Sequence, residues 1–135
     1  MKRFGRTLRP SAHLSFVPLD VTKPSTLKTA FEGADAVVSL VGIMYGTSKN
    51  LEDVQYRGAE NVAKAAQDAN AKLVHFSAIG ADPESQISYA RTKALGETAA
   101  LDNCSKVTIF RPSLVFGPED DFFNVLITCI YLVVS

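Results

Sequence analysis

The 135-residue sequence predicts an α/β fold in three layers, a parallel sheet with helices against both faces. Three observations carry that prediction. Four short apolar, β-branched segments, "LSFVPL", "AVVSLV", "KLVHFSA" and "VTIFRP", each run into loop residues, as strands do. The three gaps between them hold helical patterns, and strands alternating with helices are the mark of βαβ units. "AVVSLVG" is nearly solid apolar, as expected of a strand buried on both sides.

The chain opens on a basic stretch, residues 1–13, with Lys2, Arg3, Arg6 and Arg9 and no acid before Asp20. A segment rich in arginine and poor in acids fits a mitochondrial presequence. Gly5 and Pro10 restrict an amphipathic helix there, so a basic loop ahead of the first strand is the other reading. The first helix, "KPSTLKTAFEG", carries Pro24 where an early helical position tolerates proline, and Gly33 where a C-terminal cap favours glycine. Asn50 is the expected N-cap of the second, "NLEDVQYRGAENVAKAAQDAN". Leu51, Val54, Gly58, Val62, Ala65, Ala66 and Ala69 then fall on one helical stripe, with Gly58 expected to admit close helix–sheet packing. The third, "SQISYARTKALGETAALD", runs toward Cys104. Beyond the last strand, Phe122 and Phe123 are expected core anchors, and residues 125–134 form an apolar run. That run is too short to span a bilayer, so it reads as a buried strand or the start of a helix.

The totals exclude several classes of function. Fourteen basic and fourteen acidic residues cancel, which leaves no global field for nucleic acid or an acidic membrane. Cys104 and Cys129 lie far apart without a CxxC or Cys/His cluster, so they read as buried thiols rather than metal ligands. No repeat, low-complexity tract or interdomain linker divides the chain.

The chemistry concentrates in "ISYARTKALGE", where Tyr89 and Lys93 stand four residues apart and share one helix face. An ammonium beside a phenol favours the phenolate, which suits general acid/base work. Ser77 closes the strand "KLVHFSA" at the carboxyl end, where open parallel sheets bind ligands, and its hydroxyl can hydrogen-bond a carbonyl or alcohol. A YxxxK pair alone occurs often by chance on helix surfaces; the strand-end serine sharpens it. His75 on the same strand reads as a neutral, hydrogen-bonded core histidine, and His13 as a solvated loop residue. Asp20 either ends its strand and caps the next helix or serves a ligand. Arg111 is expected to pair with an acid such as Glu119 or Asp120. A dinucleotide-binding fold usually opens with a strand, a GxGxxG turn and a helix, and no such glycine cluster is present; what remains looks like the second half of that fold.

"QYRGAENVAKAA", "LVHFSAIGAD", "SYARTKALGE" and "FRPSLVFGPEDDFFN" together resemble the extended and atypical short-chain dehydrogenase/reductase (SDR) superfamily, over about residues 14–124. The branch they resemble most contains the SDR-like accessory subunit of mitochondrial respiratory complex I and its bacterial relatives. The resemblance implies a partial NAD(P)-binding, Rossmann-like domain at residues 14–124, flanked by the basic segment 1–13 and an apolar tail at 125–135. It implies a catalytic set of Ser77, Tyr89 and Lys93, with Lys93 also on the cofactor ribose. It further implies cofactor contacts from Asp20 and Val21 near the adenine, and from Leu40, Val41 and Gly42 at the adenine ribose. Arg111, Pro112, Ser113 and Val115 would approach the nicotinamide. The implied cofactor is NADP or NAD, the implied partners are respiratory complex I subunits, and the implied place is the matrix side of the mitochondrial inner membrane, with the cytoplasm as the alternative.

Three departures from the pattern shape the expected function. The first strand and its glycine loop are missing, Gln55 stands where the family often has the Asn of "NxxGTxN", and the further lobe after "DDFFN" is absent. The resulting expectation is a structural or assembly role, set against an active NAD(P)-dependent oxidoreductase or epimerase, or a fragment with no function of its own.

Overall fold

The structure, a computed structural model, describes residues 15–115 and residue 117. Three strands, β1 (Ala36–Ser39), β2 (Lys72–Phe76) and β3 (Val107–Phe110), form a parallel sheet in the order β1-β2-β3. The register sets Ser39 beside His75, and His75 beside Ile109. All three strands therefore point their carboxyl ends at the same edge of the sheet, where loops can gather side chains from each.

The crossovers are helical. α1 (Pro24–Phe31) starts with proline at its first position and ends before Gly33, whose φ of +74° only glycine adopts freely. The second crossover begins as α2 (Ser48–Leu51), continues through a π-helical turn (Glu52–Arg57) and ends as α3 (Gly58–Asp68). Its N-cap is Thr47 rather than Asn50: the Thr47 side chain accepts the Asn50 amide at 3.2 Å, which places Asn50 inside the first turn. Last comes α4 (Ser88–Asn103), which returns the chain to β3.

The helices pack on one face of the sheet. Val37 and Leu73 point into it from the strands and meet Leu27, Val62, Ala63, Ala66, Ala100 and Cys104. Alanines on α3 and α4 keep these helices close to the strands, and fully buried Leu27 and Leu73 each contribute about 2 kcal/mol by leaving water. The expected stripe on the second crossover holds, with Leu51, Gly58, Val62 and Ala66 buried and Val54, Ala65 and Ala69 packed against the core. Gly58 does admit close packing, but against the loop before α1: a β-carbon there would stand 2.9 Å from Val21 Cγ2.

The other face carries no described helix. Val38 is 59% exposed, Leu40 71% and Phe110 49%, with Phe110 stacked on Phe76 at 5.3 Å between ring centroids. The expected first strand, residues 14–19, does not form over its described part: residues 15–19 have no regular secondary structure and no ladder partner, and Phe16, Val17 and Leu19 are exposed. A strand exists through hydrogen bonds to a neighbour, and none of the described strands lies beside this one. His13, Cys129, Phe122, Phe123, the basic segment and the apolar run fall outside the described residues.

Candidate functional site

The carboxyl edge of the sheet opens into a cleft of about 320 Å³. The loop after β1 lines it with Leu40, Gly42, Ile43 and Met44, the end of β2 with Phe76 and Ser77, and α4 with Tyr89 and Lys93. The three residues singled out as a catalytic set thus share one concavity, brought together by a strand end and by a single turn of helix.

Lys93 is the most constrained of them. Its side chain is buried, and its ammonium donates to the Phe76 carbonyl at 3.1 Å and more weakly to the Val41 carbonyl at 3.4 Å. The lysine thereby ties α4 to the ends of β1 and β2. Burial lowers its proton affinity, and the nearby Glu97 carboxylate opposes that shift. Gly42 is fitted to this lysine, because a β-carbon there would come to 3.1 Å from Nζ. An ammonium has three donors, and the two carbonyls leave one for a ligand in the cleft.

Ser77 follows β2 directly, with its amide donating to the Phe110 carbonyl at 2.7 Å. Its hydroxyl is buried and has no hydrogen-bond partner among the described residues, although it lies within electrostatic reach of Glu97. A buried hydroxyl without a partner is costly and commonly marks a position completed by something else. Tyr89, half-buried, stands one turn before Lys93 on the cleft side of α4.

Other expected site residues lie elsewhere. Asp20 commits its carboxylate to the Thr22 amide at 2.9 Å and hydroxyl at 2.6 Å, and to Lys23 at 3.3 Å, and these bonds hold it below the ordinary carboxylate range. Asp20 thus shapes a turn rather than ending a strand or capping α1, whose N-cap is Lys23, and neither Asp20 nor Val21 lines the cleft. Val41 contributes its backbone carbonyl to Lys93. Arg111 does not need the expected acids at 119 and 120, which lie outside the described residues, because it pairs with Glu97: Nε donates at 2.8 Å and Nη2 at 2.5 Å. Pro112 accepts the Ile79 amide at 3.0 Å, while Ser113 and Val115 are exposed next to that turn.

Two buried polar residues behind the cleft complete the picture. Gln55, in the π-helical turn, donates from Nε2 to the Ile43 carbonyl at 2.7 Å and so braces the loop that lines the cleft. His75 is buried as expected, but neither ring nitrogen has a hydrogen-bond partner among the described residues. Burial first, then the Lys93 charge, hold it neutral. The contribution of Glu97 was legible in "YARTKALGE", since it continues the stripe of Tyr89 and Lys93 by four residues; its partner was not. Among the described residues no His/Cys/Asp/Glu group could hold a metal ion, and no helix is long and apolar enough to cross a membrane.

The residues present fit the sugar-and-nicotinamide end of a dinucleotide: a spare ammonium donor, a buried serine hydroxyl without a partner, and a glycine that leaves room beside the ammonium. They supply no glycine-rich turn for a pyrophosphate. The comparisons bear on the family of the chain. The chain is 31% identical over 112 residues to the NADH-ubiquinone oxidoreductase 40 kDa subunit of Neurospora crassa, covering 82% of this chain and 30% of that protein. To the mitochondrial NADH dehydrogenase [ubiquinone] 1 alpha subcomplex subunit 9 of Dictyostelium discoideum it is 28% identical over 109 residues, covering 80% of this chain and 30% of that one. In shape it matches dTDP-4-dehydrorhamnose reductase from Bacillus anthracis in complex with NADP, with a TM-score of 0.73 at 20% identity over 83% of this chain and 47% of that one. The chain thus spans about a third of the curated relatives it matches. Residues 5–111 match the NAD(P)H-binding family, and the chain belongs to that family within the extended SDR superfamily.

Proposed function

We propose that this protein is a dinucleotide-binding SDR relative with a structural or assembly role beside the subunits of respiratory complex I, in the mitochondrion. The observation that carries this reading is the similarity to complex I subunits from a slime mould, a fungus and rodents. The cleft supports it: Lys93 is held for binding by two backbone carbonyls, and Gln55 braces the cleft wall through Ile43 in place of the family's asparagine. In this role Lys93 binds the cofactor ribose and Ser77 meets the nicotinamide end, while Leu40 and Gly42 line the cleft and Val41 holds Lys93 through its carbonyl. The bound cofactor supplies rigidity to the strand ends.

The test is a Tyr89→Phe substitution in the native setting. Assembly of the respiratory complex and NADPH content should survive the loss of one hydroxyl. Loss of either would count against a structural role.

A second reading is an active reductase, favoured by 29% identity over 102 residues to ceramide reductase of Caulobacter vibrioides. Here the cofactor would supply the hydride, Tyr89 would donate the proton to the carbonyl oxygen, and Ser77 would orient that oxygen. Steady NADPH oxidation across a panel of carbonyl substrates, lost in Tyr89→Phe, is the result this reading requires. No turnover across the panel would remove it.

A further inference from the structure

α4 presents three functional side chains on one face, at intervals of four residues: Tyr89, Lys93 and Glu97. The last two are buried charges, and each binds a strand end. Lys93 takes the ends of β1 and β2 through the Val41 and Phe76 carbonyls. Glu97 takes the end of β3: both its oxygens accept from Arg111 Nε, at 2.8 and 3.0 Å, and Oε2 also accepts from Nη2 at 2.5 Å. One helix thus sets all three strand ends against the cleft.

We propose that Glu97 is a positioning residue of this cleft, which grips Arg111 with a buried carboxylate and so fixes the turn after β3 against the helix of Tyr89 and Lys93. The inference rests on the dinucleotide reading for the meaning of the cleft, although not for its geometry. Exposure shows which partner is anchored. The Glu97 side chain is 7% exposed and that of Arg111 54%, so the guanidinium is drawn in from solvent to a fixed acid. The turn that follows is laced to the Ser77 loop, since the Pro112 carbonyl accepts the Ile79 amide at 3.0 Å and the Phe110 carbonyl accepts the Ser77 amide at 2.7 Å. Moving Arg111 therefore moves the backbone beside the serine. Arg111 itself becomes a clamp held away from ligand duty.

An uncharged staple would join α4 to β3 in the same way, but it would leave Lys93 electrically untouched. The groups acting on Lys93 distinguish the two. Glu97 faces it from its own helix and favours the ammonium, His75 faces it from β2 as a neutral ring, and β1 offers only the uncharged Val41 carbonyl. Arg111 offsets the Glu97 charge from the turn after β3. Removing the acid and removing the arginine must then move the Lys93 titration in opposite directions.

The experiment is a side-chain NMR titration of Lys93 in the full 135-residue chain, without cofactor, for wild type, Glu97→Gln and Arg111→Met, together with exchange of the Ser77 and Ile79 amides, which bond the Phe110 and Pro112 carbonyls. A lower Lys93 midpoint in Glu97→Gln, a higher one in Arg111→Met, and faster exchange of the Ser77 and Ile79 amides in both are expected. Midpoints that stay at the wild-type value, or move in the same direction, would overturn the proposal. Should Glu97→Gln fail to fold, Arg111→Met decides alone, because its side chain is half in solvent: a raised midpoint supports the proposal, an unchanged or lowered one overturns it. Titrating NADPH into the wild type separates the two readings. Absence of binding there would sink the dinucleotide assignment and leave the Lys93 result standing.

Discussion

The two faces of the sheet differ more than any other two regions of the molecule. On one, Val37, Leu73 and His75 lie under α3 and α4, and the polar groups that tie the cleft together are anchored there: Lys93, Glu97 and the Gln55 brace. On the other, Val38, Leu40 and Phe110 meet no described helix. The same three strands supply both sets, one residue apart. What the difference teaches is that the cleft depends on one helical layer, because the charges that tie the strand ends together all come from α4 or the turn it packs against.

The largest expected effect strikes that layer. A β-carbon on Gly96 would lie 2.3 Å from the Gln55 carbonyl oxygen, a backbone atom that cannot swing away. The wide π-helical turn carries that carbonyl against α4, and only a glycine accepts it. Gly96→Ala should therefore cost on the order of 4 kcal/mol by denaturant unfolding; a loss below about 1 kcal/mol would mean that the turn and α4 are less closely packed than described. Leu73→Ala, at a fully buried site on the covered face, should cost about 3 kcal/mol through its transfer and cavity terms.

Among the buried groups, acid should act on the covered face. His75 has its proton affinity lowered first by burial, so protonating it below its unfolded pKa of about 6.5 works against folding. Glu97 is held below the usual carboxylate range, burial opposing and Arg111 outweighing it, so its contribution is present above its unfolded pKa of about 4.3 and is lost as pH falls through the lower folded value. Both signs agree: stability should fall as pH drops from about 7 toward 4, first through His75 and then through Glu97. His75→Phe should flatten the upper part of that profile in a thermal-melt series. A profile unchanged by the substitution would mean that His75 is not the titrating group.

The smallest effects belong to the bare face. Phe110→Ala should cost about 1 kcal/mol, the stacking with Phe76 being its main described contact there, and Val38→Ala should stay within about 0.5 kcal/mol. If Val38→Ala costs as much as Leu73→Ala, then the face is covered in solution and the contrast breaks.

Much of this was legible in the sequence, for reasons that are local. Pro24 and Gly33 bracket α1 because each satisfies a backbone condition within its own turn. The segments at 36–41, 72–78 and 107–112 read as strands by composition, and they hold strands because they pair with one another. The segment at 14–19 has the same composition, and composition does not supply a neighbour. Thr47 and Asn50 are both good capping residues three apart, and only the observed geometry, with the Thr47 oxygen on the Asn50 amide, chooses between them. Ser77, Tyr89 and Lys93 could be found by spacing because they need one strand end and one helical turn. The Arg111–Glu97 pair spans fourteen residues and a crossover, so the sequence showed two ionisable residues but not that they meet.

The central claim is that the cleft at the strand ends is where a nicotinamide dinucleotide is held, and that Lys93 holds it. Calorimetric titration of NADPH into the whole chain, wild type beside Lys93→Met and Tyr89→Phe, tests it most directly. The account predicts saturable binding that Tyr89→Phe retains and Lys93→Met weakens by at least about tenfold, the loss of a charged hydrogen bond. No binding by the wild type, or equal binding by Lys93→Met, would contradict it.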